Sequence, residues 1–109
     1  MADGIPLQLY LVKRPSTGFW AILENRRVKL DTFPEAFSAP DAVGLMQGPA
    51  AAILAASDIA EKAASVRVAE IKGVCPSHIT VIALYGDTSA VAAALSAVRH
   101  TFRDALFQE

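Results

Sequence analysis

Apolar and polar positions alternate from Pro6 to Val12, with Leu7, Leu9 and Leu11 on one side and Gln8, Tyr10 and Val12 on the other. A period of two predicts a half-buried strand. Lys13-Arg14-Pro15-Ser16 stops it, because Pro15 has no N–H to give a ladder. Ser16 or Thr17 can cap a short helix through Phe19, Trp20, Ile22 and Leu23, with Trp20 as a packing residue. Residues 26–40 have no clean period. Their isolated Val28, Leu30, Phe33 and Phe37 suit a connector lying over the body.

Ala42 to Met46 is a short apolar strand, and Gly48-Pro49 ends it and opens a helix. That helix runs to about Ala64 and is rich in alanine, the best helix former. Ile53, Leu54 and Ile59 are expected on its buried side, and Asp58, Glu61 and Lys62 on its wet side. Val66 to Ile71 alternates again. Ile79 to Tyr85 is nearly all apolar and β-branched, which predicts a strand buried on both faces. Gly86-Asp87-Thr88 is a turn with a helix cap. Val91, Leu95, Val98, Phe102 and Leu106 then form a helical stripe, with His100, Arg103 and Asp104 largely off it and His100 on the surface. The pattern predicts an α+β fold: one antiparallel-rich sheet with two main helices on one face.

Composition narrows this picture. A chain of 109 residues suits one domain. A hydrophobic fraction of 53% and a mean hydropathy of +0.36 are high for a small monomer. Alanine content and burial against partners both account for it. A net charge of −1 gives no footprint for nucleic acid or an anionic membrane. No apolar run approaches the roughly 20 residues of a membrane span. No signal peptide is evident, so a cytoplasmic location is expected.

One stretch carries candidate chemistry. Gly73-Val74-Cys75-Pro76-Ser77-His78 lies between two expected strands and holds the single cysteine. Gly73 allows a turn and Pro76 stiffens it. The thiol can be an inert small hydrophobe, a nucleophile or a metal ligand. His78 can be a ligand, a donor to sulfur, or a polar lining. No Ser-His-Asp pattern, glycine-rich phosphate loop or carboxylate pair accompanies the cysteine, and no oxyanion donors support a Cys75–His78 pair. An enzyme is not expected.

Ordered pieces of the chain resemble the bacterial microcompartment (BMC) shell domain. They are Ala42-Val43-Gly44-Leu45, Ala60-Glu61-Lys62-Ala63-Ala64-Ser65-Val66, Ile79-Thr80-Val81-Ile82, Gly86-Asp87 and Ala90-Val91-Ala92-Ala93-Ala94. Leu9-Tyr10-Leu11-Val12-Lys13-Arg14-Pro15 with Ala21-Ile22-Leu23 resembles the strand and short helix that normally close this domain. Here they come first, so the resemblance implies circular permutation within a single domain. Residues 1–25 would be the relocated piece, 26–40 the new connector and 41–109 the core.

The resemblance further implies a flat homohexamer that tiles, with other shell proteins, around enclosed enzymes. Lys62 and Arg14 match edge residues used between hexamers, and Gly73, Val74, Cys75, Pro76, Ser77 and His78 fall at the central pore. The Gly-x-Cys-Pro departure is similar to a permuted branch from glycyl-radical propanediol microcompartments. It implies an iron–sulfur cluster, expected as four-iron, held through Cys75 and shared between subunits. Two other readings stay open: a metal-free shell ring passing small polar metabolites, and a small oligomeric ligand-binding regulator.

Overall fold

The computed structural model describes residues 6–28, 40–72 and 79–108. Its elements are β1 (Gln8–Lys13), α1 (Thr17–Arg26), β2 (Ala42–Pro49), α2 (Ala50–Ala63), β3 (Arg67–Ile71), β4 (Ile79–Gly86), α3 (Thr88–Thr101) and β5 (Leu106–Gln108). The strands form one sheet in the order β3-β4-β2-β1-β5. Three pairings are antiparallel, and β5 runs parallel to β1.

The pleat divides the side chains between two cores. Leu9 and Leu11 of β1, Met46 of β2 and Ile82 and Leu84 of β4 point to one face. There they meet Ile53, Ala56 and Ala60 of α2 and Val91, Ala94, Leu95 and Val98 of α3. The two long helices share this face, as the sequence predicts. Their alanines let them sit close to the sheet. Gly44 completes the fit, since a Cβ there would stand 2.9 Å from Val91 Cγ1.

The opposite face carries α1. Ser16 caps it, its Oγ accepting from the N–H of Phe19 at 3.2 Å. Leu23 packs there with Val43, Ala69, Ile71, Ala83 and Tyr85. Trp20 is a packing residue: its ring centroid lies 6.1 Å from those of Phe19 and Tyr85. Beyond α1 the chain runs along the outer edge of β3. Val28 N–H donates to the Glu70 carbonyl at 2.8 Å, and Lys72 N–H to the Arg26 carbonyl at 2.7 Å. The C-terminal part of that edge is thereby covered, which shortens the template for unwanted strand pairing.

Three details differ from the sequence expectation. Leu54 is exposed, because the stripe of α2 is set by Ile53, Ala56 and Ala60 and Leu54 lies a quarter-turn away. The strand that begins at Ala42 continues through Pro49, whose missing N–H falls at the strand's last residue. Finally, Leu106 is not helical. α3 ends at Thr101, where Phe102 N–H bonds the Val98 carbonyl at 2.8 Å, and the chain turns into β5. The four-residue spacing from Phe102 to Leu106 fits a helix by coincidence.

Candidate functional site

The two long-axis ends of the sheet differ in chemistry. At one end Lys13, Ala42 and Gly86 stand in register. Arg14 follows β1 here, and Ser65, just beyond α2, is close enough that a Cβ on Gly86 would meet its carbonyl oxygen at 3.3 Å. Lys62 lies in the last turn of α2 at this same end. The sequence-predicted pair, Arg14 and Lys62, is thus brought to one end of the sheet, and both side chains are exposed.

Their geometries are distinct. Lys62 Nζ lies 2.9 Å from Asp58 Oδ2, one helical turn back. The hydrogen bond to Asp58, followed by its charge, raises the pKa of Lys62, so the ammonium persists at any physiological pH. Arg14 has a φ of +49°, the one positive value at a non-glycine position among the described residues. That conformation is costly for an L-residue with a long side chain. It also stands before Pro15, a position that favours extended backbone. Backbone strain of this kind concentrates where function fixes a residue's direction.

At the other end, Pro49 pairs with Ile79 and Ile71 with Val81. The Gly73–His78 stretch joins β3 to β4 here. Its six residues, and with them Cys75 and His78, lie outside the described residues. Along β2 the two ends are separated by roughly 23 Å, seven residues at about 3.3 Å each. Among the described residues no group of three or more His, Cys, Asp or Glu could hold a metal. No helix among them is long and apolar enough to cross a membrane.

Two features escape the sequence reading. Arg27 is buried at 3% exposure, with its Nε and Nη2 each 3.0 Å from Glu24 Oε1. Tyr85 is buried beside them. Burial first, then the Glu24 carboxylate, pushes its pKa well above the ordinary tyrosine value, with Arg27 opposing. This cluster fastens α1 to the sheet. The i, i+3 spacing of Glu24 and Arg27 is a legible signal, but nothing local announces that Arg27 is buried. The second feature is a basic cleft at the end of α3, whose arginines are separated in sequence by a helix end.

Comparison with known proteins agrees with this architecture. The BMC domain family model matches residues 42–108. No curated protein sequence matches the chain. Among solved structures, the chain is similar to the ligand-free GrpU microcompartment shell protein from Clostridiales bacterium 1_7_47FAA. The TM-score is 0.60 and the identity 31%, covering 84% of this chain and 86% of that one. The GrpU shell protein from Pectobacterium wasabiae gives a TM-score of 0.61 and 30% identity, covering 84% and 98%. The chain belongs to the BMC-domain family and is a microcompartment shell protein, structural rather than enzymatic.

Proposed function

We propose that the chain is a circularly permuted shell tile. Six copies close into a flat ring, with the Gly73–His78 loops toward the axis and Arg14 and Lys62 on the rim where rings meet. Shell proteins of this family oligomerise and assemble with one another; the ring of six is the specific form proposed here.

The observation that supports the reading is that the strand ends flanking residues 73–78, Ile71 and Ile79, lie at the opposite end of the sheet from Arg14 and Lys62. A ring subunit needs its pore segment and its rim contacts at opposite ends, and this placement of the flanks is compatible with that. Permutation draws support from the chain ends. Leu106 N–H donates to the Leu7 carbonyl at 2.8 Å, so the end of the core lies against the beginning of β1. The family model starts at Ala42, yet β1 is internal to the sheet, between β2 and β5. A strand that precedes the matched region but completes its sheet is what relocation of a closing strand produces.

The donor set sets a condition on the cluster. A four-iron cluster takes four thiolates as a rule, and one chain supplies one. The residues therefore fit an iron–sulfur cluster only where several copies of Cys75 converge, as the ring provides. A tetrahedral donor set does not match sixfold symmetry, so only some of the thiols would bind. Bound there, the cluster would supply one-electron redox chemistry at the pore. The subunits' part is to bring the thiolates together on Pro76-stiffened loops.

Sedimentation and anaerobic absorbance spectra, taken on wild type and Cys75→Ser after reconstitution with iron and sulfide, test the reading. A hexamer with a broad visible band that Cys75→Ser abolishes is expected. A monomer at high concentration would overturn the ring. A colourless wild-type hexamer would remove the cluster and leave a pore lined by Ser77 and His78.

A further inference from the structure

We infer that the cleft between the end of α3 and β5 binds a small phosphate-bearing ligand. The cleft has a volume of about 440 Å³ and is lined by Ser96, Arg99, His100, Arg103 and Ala105. The cleft is broad, mainly polar and open to solvent, so a ligand there would be held by its charge rather than by enclosure.

The donors are arranged for an anion. Arg99 lies over the Phe107 ring, with its guanidinium carbon 4.8 Å from the centroid. An aromatic contact occupies a face of the guanidinium, whereas the N–H donors lie in its plane and stay available to oxygen. The ring thus fixes the cation without consuming its hydrogen-bonding capacity. Arg103, past the helix end, and Ser96 line the same cleft and can offer it a second guanidinium and a hydroxyl. Among the described residues neither arginine nor His100 has a carboxylate partner, although Asp104 is their sequence neighbour.

Basic residues in a last helical turn also offset the helix dipole, which explains Arg99 and His100 in part. It does not explain Arg103, which lies beyond the helix. Nor does it explain why two arginines line one cleft with no carboxylate partner among the described residues. A multiply charged phosphate relieves their repulsion, and guanidiniums match its oxygens two at a time. The inference concerns the single subunit and stands apart from the ring and the cluster.

Calorimetric titration of the intact protein with pyrophosphate in about 50 mM salt tests it, with succinate as a carboxylate probe. Saturable pyrophosphate binding is expected, weakened about tenfold or more by Arg103→Gln and further by Arg99→Gln/Arg103→Gln. Arg103→Gln keeps the Arg99–Phe107 contact, so its effect is separable from any loosening of β5. Arg26→Gln, in α1 on the opposite face of the sheet, should leave binding unchanged. Absence of saturable binding, equal binding by the Arg103→Gln protein, or equal loss in Arg26→Gln would overturn the site. Succinate binding as tight as pyrophosphate would overturn the phosphate assignment.

Discussion

The backbone N–H of Arg14 donates to the carbonyl oxygen of Asp41 at 2.9 Å, and across this bond β1 and β2 are joined just past their last paired residues. The bond holds Arg14 in a left-handed conformation that costs an L-residue roughly 1–2 kcal/mol. Arg14→Gly removes that cost and adds about 0.5–1 kcal/mol of unfolded-state entropy in exchange. The melting temperature should therefore hold or rise by up to ~6 °C. Edge-to-edge assembly, scored by electron microscopy of the sheets, should fall sharply. Loss of both stability and assembly would mean that Arg14 serves the fold and not the rim.

Lys62→Gln makes the complementary case. Its ammonium is exposed and its ion pair with Asp58 lies within its own helix, so folding should be indifferent to its removal. Melting curves should superimpose on wild type while the yield of extended sheets drops. Sheets of normal extent would dismiss the rim role.

Gly44→Ala should destabilise the subunit by about 1–3 kcal/mol. The added methyl would meet Val91 Cγ1 at 2.9 Å, and a β-branched helical side chain has no alternative rotamer to retreat into. Urea unfolding would read the loss. A midpoint equal to wild type would mean that α3 lifts from the sheet at little cost.

Ile53→Ala and Leu54→Ala distinguish two adjacent residues of α2. Ile53 is fully buried and its truncation should cost about 2–5 kcal/mol, against under about 0.5 kcal/mol for exposed Leu54. Equal losses in urea would place the helix in a different rotation.

Tyr85 governs alkaline stability. Its folded-state pKa is raised, so its contribution is fully present below the ordinary tyrosine value of about 10. Above that pH the unfolded chain ionises while the folded phenol stays protonated, and stability falls as pH rises. Tyr85→Phe should flatten this decline in urea midpoints between about pH 10 and 11.5. Parallel declines in the two proteins would assign the alkaline transition to another group.

Periodicity made much of the fold legible. β1 and β4 are read directly from alternation and β-branching, and Asp87 announces α3 by its cap, accepting from Ala90 N–H at 2.8 Å. What escaped is long-range. Leu54 and Ile53 are equally apolar, and the rotation of α2 is decided by alanines that carry no strong signal of their own. β5 is three residues long and exists because Leu7 offers a carbonyl, which no local pattern announces. The rim candidates were legible only through family resemblance, since an exposed lysine and an arginine before proline look ordinary in isolation. The strain at Arg14 is visible only in the backbone.

β2 and β4 span eight residues each, from the end of the sheet that carries Arg14 and Lys62 to the end where β3 leads into β4. In the proposed ring, a pull at the rim would therefore run along the strands. Interstrand hydrogen bonds lie across that direction. Tension then loads them in shear, so that many must yield together, whereas a pull across the strands would open them one after another like a zip. In the proposed ring, strands running from rim to pore would resist stretching with the covalent backbone as the tether.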